Sequence, residues 1–189
     1  MLNINKDTVN YNLNMLHDAV ITGDETKQTF EMSAVQVMLK NMCADMFKLV
    51  HGFDLTVPIR CFTYAGLGMD YMKIGVYDVS KYINMIEQVR VIANSLDRNS
   101  LESRQLIVQF ETIHCFQHIQ FLIRNDNLTV IASMRSCNFE THFCNDAMLT
   151  YMCGRLLADI LERRQICTIN NIDVIMQIGS LHIFKKEGK

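Results

Sequence analysis

Two segments in the second half of the chain carry side chains that could perform chemistry together. Cys115 supplies a thiol, and Arg135 and Ser136 supply a guanidinium and a hydroxyl. Between them, apolar and polar residues alternate on both sides of Asn125–Asn127. This pattern predicts two strands joined by a turn, which is a β-hairpin. This hairpin would place the thiol next to the guanidinium. A neighbouring guanidinium favours the thiolate, the nucleophilic form of sulfur, and with a hydroxyl it can also bind an anion.

Other polar residues flank this hairpin. Asn145 and Asp146 stand before a run with helical spacing, so Asp146 could simply be the N-cap of a helix. His182 lies on the apolar face of a predicted strand, Val174–Phe184, where it could equally be a core histidine. Cys115 could be a small core residue. These structural roles remain alternatives to functional ones.

The elements that must position these residues are a mixture of helices and strands. Leu13, Leu16 and Val20 have helical spacing, and Tyr82–Leu96 predicts a clearer helix that ends at the turn Asp97–Ser100. Residues 30–50 are ambiguous, because alternation predicts a strand while methionines recur at helical spacing. Leu106–Val108 predicts a short strand. Gly154 in the last helix could allow close packing. We expect an α+β fold with a mixed sheet and packed helices, in one domain over residues 1–189.

Composition excludes several classes of protein. The chain has 189 residues, 49% of them hydrophobic, which suits one globular domain. A net charge of -2 gives no basic field for nucleic acid. No apolar run is long enough for a membrane span, and the first residues do not predict a signal peptide. Seven cysteines, an odd number, indicate reduced thiols, so we expect a cytoplasmic protein.

A cluster of cysteine and histidine residues raises the possibility of a metal site. No Cys-x-x-Cys pair accompanies it, so we expect no metal. The cluster consists of His114, Cys115, His118, Cys137, His142 and Cys144.

The order of these motifs resembles the thymidylate synthase family, which includes the pyrimidine-nucleotide hydroxymethylases. That family has a nucleophilic cysteine, then a hairpin and an Arg-Ser pair, then an Asn or Asp that recognises the base, and later a Gly-x-x-His-x-Tyr strand. Cys115, Arg135-Ser136 and Asp146 match in order without a gap, and Gly179–Phe184 matches the last motif. The resemblance is best over residues 100–184. Thr29-Phe30-Glu31 is similar to a segment near the family's N-terminus.

The resemblance implies a role for each matching residue. Cys115 would add to C6 of a pyrimidine and make C5 nucleophilic. Arg135 and Ser136 would bind the phosphate, and Arg104 of the Ser103-Arg104 pair would reach it across a homodimer. His182 would hold the sugar. Asn138 stands where the family contacts its cofactor, 5,10-methylenetetrahydrofolate.

The resemblance also implies a base preference. In the family, Asn accompanies uracil and Asp is associated with cytosine. A protonated carboxyl matches the N3 acceptor and N4 donor of cytosine. Asp146 therefore favours dCMP, whereas a one-residue deletion would place Asn145 there and favour dUMP.

The chain departs from the family in its catalytic parts. The middle region that carries a glutamate and tryptophans is shorter, and the chain contains no tryptophan. Phe116, Asn138 and Phe184 replace the family's His, Asp and Tyr, and a C-terminal tail that closes over folate is not expected. Two functions follow: a C5 one-carbon transferase, either a hydroxymethylase or thymidylate-synthase-like, or an inactive nucleotide-binding homologue. The homologue would act as a sensor, a sequestering protein or the partner subunit of an active enzyme.

Overall fold

The main structural feature is a seven-stranded mixed sheet with helices packed against it. The computed structural model describes residues 1–48, 50, 53–75, 77–110 and 115–185. The helices in these ranges are α1 (Val9–Ile21), α2 (Thr56–Gly66), α3 (Ser80–Ser95) and α4 (Phe143–Arg163). The strands are β1 (Leu2–Ile4), β2 (Asp24–Glu25), β3 (Thr29–Leu39), β4 (Lys73–Ile74), β5 (Tyr77–Asp78), β6 (Ile107–Gln109), β7 (Phe116–Arg124), β8 (Asn127–Asn138) and β9 (Asn171–Phe184). The α+β expectation is thereby confirmed.

The sheet has the strand order β1-β3-β9-β8-β7-β6, and β2 pairs with β3 at its edge. Strands β8 and β9 run parallel, as do β1 and β3, while the other neighbours on this path are antiparallel. The connection between β8 and β9 is α4, because parallel neighbours require a crossover. Strands β4 and β5 form a separate two-stranded sheet.

The predicted hairpin is the pair β7–β8. Asn125 and Asp126 have φ values of 49° and 61°, as a type I′ turn requires, and Arg124 pairs with Asn127. The sequence pattern predicts one shared face for Cys115, Gln117, Ile119, Phe121 and Ile123, and this prediction was wrong for Cys115 and Gln117. A bulge between Phe116 and His118 shifts the register, and Cys115 precedes the strand.

Helix α4 packs closely against the sheet, as Gly154 suggested. A Cβ atom at Gly154 would lie 2.7 Å from Cγ2 of Val130 on β8 and 3.4 Å from Cγ2 of Ile172 on β9. Such short distances mean that the helix backbone nearly touches the side chains of the sheet. The absence of a side chain at residue 154 therefore sets how closely α4 approaches the sheet.

The ambiguous segment forms a strand. Val35, Val37 and Leu39 are buried on one face of β3, and the helical spacing of the methionines was misleading, since Met42 and Met46 are core residues in the following loop. Helix α2 was not predicted. In the part of the chain described here, none of the helices combines the length and the apolar composition that crossing a bilayer requires.

Candidate functional site

A cleft of about 340 Å³ lies where the carboxyl ends of β8 and β9 meet α3 and the start of α4. Parallel strands that are joined by a helix commonly present a ligand site at this edge. The described residues that line it are Tyr77, Asp78, Lys81, Tyr82, Cys115, Phe116, Ser136, Cys137, Asn138, His142, Asp146, His182 and Phe184. Five of the residues that the sequence indicated therefore share one cleft: Cys115, Ser136, Asn138, Asp146 and His182.

The thiol of Cys115 is exposed in this cleft. Ser136 lies across the hairpin, and its hydroxyl donates a hydrogen bond to the Cys115 sulfur over 3.8 Å. The Arg135 amide donates to the Cys115 carbonyl over 2.8 Å, so the backbones of the two predicted neighbours are indeed adjacent. The hairpin therefore brings a thiol and a hydroxyl together in the cleft.

The carboxyl of Asp146 is the buried acid of the cleft. It is 4% exposed, and burial raises the pKa of Asp146 to about 7. The Tyr77 hydroxyl donates to Oδ1 over 3.0 Å, and the Cys137 thiol lies 3.7 Å from Oδ2. The N-cap role was wrong, because α4 begins at Phe143 with His142 as its N-cap, and Asp146 lies inside the first turn. Asp146 therefore lines the cleft from the first turn of α4.

Two histidines lie on opposite walls of the cleft. His182 is on β9, where its ring meets Phe184 edge-on and its strand pairs it with Glu31 of β3. The His142 ring nitrogen Nδ1 lies 2.6 Å from the Thr141 hydroxyl. Burial, and next the nearby His182, lower the pKa of His142. His142 therefore stays neutral to lower pH than a free histidine.

The side chain of Asn138 serves the local backbone. Its Oδ1 atom accepts hydrogen bonds from the amides of Glu140 and Thr141, over 3.0 and 3.2 Å. This turn leads from β8 into α4 and so sets the position of Asp146. The Asn138 amide nitrogen is the group that this arrangement leaves to a ligand.

Three predicted site residues do not line the cleft. Arg135 is exposed and is not among the described residues that line the cleft, although its neighbour Ser136 is. Arg104 is exposed in the loop before β6. Asn145 lines a different hollow of about 910 Å³ beside α1, and its Nδ2 donates to the Thr141 carbonyl over 3.1 Å. Of the two residues that the sequence offers for base recognition, Asp146 lines the cleft and Asn145 does not.

Some cleft residues were missed from the sequence. Tyr77 is only 3% exposed and contacts Asp146, and Lys81 in the first turn of α3 brings a cation. Neither residue belongs to a motif. The only signal in the sequence was that both lie close to the start of the predicted helix Tyr82–Leu96. Within the described ranges no three metal-binding side chains come together. His114 lies outside the described residues.

The mixed sheet, the β8–α4–β9 unit and the cleft at its edge define an α+β protein with a thymidylate-synthase-like fold. The solved structure of thymidylate synthase from T4 phage is similar to this chain, with a TM-score of 0.50 over 94% of this chain and 81% of that one. The two sequences are 14% identical, so the likeness concerns the fold. No protein-family model and no curated protein sequence matches the chain.

Proposed function

We propose that the chain binds a pyrimidine deoxynucleoside monophosphate in this cleft and activates its C5 position through Cys115. The observation that carries the proposal is that an exposed thiol and a buried carboxyl line the same cleft. The thymidylate-synthase-like fold supports it. Activation of this kind is what one-carbon transfer to C5 requires.

The chemistry begins with the sulfur of Cys115. The thiolate forms a bond to C6, and the electron pair of the C5–C6 double bond moves toward C5, which becomes nucleophilic. Ser136 stabilises the thiolate by the hydrogen bond that it donates. Protonation at C5 and loss of the original C5 proton, followed by departure of the sulfur, exchange the C5 hydrogen with water.

The base in this proposal is cytosine. Asp146 has a pKa of about 7, so much of it is protonated at neutral pH. A protonated carboxyl offers one donor and one acceptor, which match N3 and the N4 amino group of cytosine. Because the carboxyl is buried, a base with the wrong edge would leave a polar group unpaired.

The remaining contacts belong to the sugar and the phosphate. His182 holds the sugar from β9, and Lys81 faces the phosphate, because the one hydroxyl proton of Ser136 goes to the Cys115 sulfur. Arg135 would have to turn toward the cleft to contribute. Arg104 fits the proposal only as a contribution from a second copy, which makes the functional unit a homodimer. The seven free thiols suit a reducing compartment such as the cytoplasm.

The described cleft does not fit 5,10-methylenetetrahydrofolate in addition to a nucleotide. Asn138, which stands at the folate position, uses its oxygen for two backbone amides and has no acceptor to offer. A volume of about 340 Å³ lies near the lower end of the range for a single small ligand. We therefore assign no step to a folate.

Release of tritium from C5 tests this proposal. The protein is incubated with dCMP labelled with tritium at C5, and tritium in water is measured for the wild type, Cys115→Ala and, as a matched control, Cys167→Ala. Cys167 is another partly exposed thiol, outside the cleft. We expect the wild type and Cys167→Ala to release tritium and Cys115→Ala to release none. Release that survives in Cys115→Ala refutes the proposal.

A second candidate is nucleotide binding without turnover, as in a sensor, a sequestering protein or the partner subunit of an active homologue. The observation that favours it is that none of the described cleft residues is an arginine. Calorimetry with dCMP distinguishes the two candidates: heat of binding without any tritium release supports this second one. Loss of that binding in Arg135→Ala would show that the guanidinium turns inward when a ligand is present.

A further inference from the structure

The hydrogen bond between Tyr77 and Asp146 is the starting point. Both residues are buried, at 3% and 4% exposure, and the Tyr77 hydroxyl lies 3.0 Å from Oδ1. Burial, and next Asp146, raise the pKa of Tyr77, so the phenol keeps its proton throughout the neutral range. A buried phenol must donate that proton to avoid an unpaired donor. Oδ1 is therefore held as an acceptor.

The other carboxyl oxygen has a less demanding neighbour. The Cys137 sulfur lies 3.7 Å from Oδ2 and also 3.7 Å from the Asn138 carbonyl oxygen. Because a thiol is a weak donor with two acceptors in reach, it can turn to Asn138 when Oδ2 carries a proton. The surroundings of the carboxyl are thus unequal: a strong donor at Oδ1 and an optional one at Oδ2.

We propose that Tyr77 is a positioning residue that places the Asp146 proton on Oδ2 and thereby gives the cleft its discrimination between cytosine and uracil nucleotides. This inference rests on the proposed function. Cytosine and uracil present opposite donor and acceptor patterns at positions 3 and 4. A carboxyl with a fixed proton matches one pattern only, whereas a carboxyl whose proton moves freely between its oxygens matches both. Tyr77 contributes no contact to the sugar or the phosphate in this scheme.

The test compares affinities for dCMP and dUMP, measured by calorimetry at pH 6. The expected result is that Tyr77→Phe lowers the ratio of the two affinities about three- to tenfold toward unity, the range for one buried neutral hydrogen bond. A control should keep the wild-type ratio: Tyr151→Phe makes the same chemical change beside the groove between α2 and α4, outside the cleft.

Each outcome has a distinct meaning. An unchanged ratio in Tyr77→Phe overturns the inference and leaves the proposed function standing. A wild type that binds both nucleotides equally overturns the inference and the assignment of cytosine, and leaves only the binding of a pyrimidine nucleotide. A wild type that binds neither nucleotide overturns both. Should Tyr77→Phe not fold, 3-fluorotyrosine at position 77 keeps the hydroxyl and makes it a stronger donor. The ratio is then expected to rise, and a ratio that stays constant or falls overturns the inference.

Discussion

The hydroxyl of Ser136 donates a hydrogen bond to the sulfur of Cys115, with 3.8 Å between the two atoms. The β7–β8 hairpin creates this contact, because Ser136 stands one residue beyond the point where β8 meets the Cys115 backbone. A serine hydroxyl has one proton to donate, and a sulfur anion accepts it better than a thiol does. The thiol that we propose as the nucleophile is therefore hydrogen-bonded and still exposed in the cleft.

Removal of the serine hydroxyl should weaken the nucleophile and leave the nucleotide in place. We expect Ser136→Ala to lower the rate of C5 tritium release about tenfold, the value of one charge-assisted hydrogen bond. Single-turnover assays at saturating dCMP measure this, because the nucleotide is then fully bound. Ser133→Ala, on the same strand but outside the cleft, is the control. A loss that disappears at saturating dCMP would mean that Ser136 acts only on nucleotide binding.

The preference for cytosine should depend on pH, because it needs a protonated Asp146. As pH rises through about 7, the carboxyl ionises and can no longer donate to N3 of cytosine. We expect the ratio of dCMP to dUMP affinity to fall at least about tenfold between pH 6 and pH 8.5, and calorimetry at several pH values measures it.

Other titrating groups should not mimic this change. The groups around Asp146 are Tyr77, Tyr82, Cys61, Cys137, Cys144 and His142. Burial raises the pKa of the phenols and thiols, so they remain neutral in this range. His142, His182 and the phosphate group contribute equally to the affinities for both nucleotides, so they leave the ratio unchanged. A ratio that is constant with pH would remove Asp146 from base recognition.

The sequence predicted the hairpin, the last helix and the long final strand because each has a strong local signal. Asn125 and Asp126 tolerate the positive φ values of the turn. Apolar residues recur every four residues over a long segment in α4, and apolar and polar residues alternate in Val174–Phe184. The bulge after Phe116 has no such local signal, because it depends on pairing with Met134. Helix α2 was missed because only Pro58, Cys61 and Ala65 of its eleven residues are buried, and these three small side chains do not form a typical apolar stripe.

The site was only partly predictable for a similar reason. Cys115, Ser136 and Asp146 lie within one stretch of sequence, and their spacing follows from the hairpin and the helix that carry them. Tyr77 is 69 residues from Asp146, so their contact depends on how α3 and β5 pack against α4. Arg135 and Ser136 are adjacent in the sequence, yet only Ser136 is among the described residues that line the cleft.

The stability of the protein should also respond to Asp146. A carboxyl whose pKa rises from 3.8 to about 7 on folding binds its proton more tightly in the folded state. Its contribution to the free energy of unfolding is therefore full below pH 4 and is lost as pH rises to 7, by about 4 kcal/mol in total.

We expect the stability of Asp146→Asn relative to wild type to increase over this interval and to level off above it. Urea denaturation at pH 4.5, 5.5, 6.5 and 7.5 measures the difference. Asp24→Asn, at an exposed position, should show no such trend, and a flat difference for Asp146→Asn would contradict the burial argument.

Gly179 should be required both for the sheet and for the cleft. A Cβ atom there would lie 2.7 Å from the carbonyl oxygen of Arg135, which is backbone and cannot turn away. Because Ser136 and Ser180 pair directly beside this point, separating the strands would also move Ser136 from Cys115. We expect Gly179→Ala to lower the free energy of unfolding by about 1–3 kcal/mol and to slow C5 tritium release in the protein that remains folded.

Gly66→Ala is the matched control, because a Cβ atom there would lie 3.5 Å from its nearest neighbour, an ordinary van der Waals distance. Equal stability of the two variants in urea would show that β8 and β9 can accommodate a Cβ atom at residue 179.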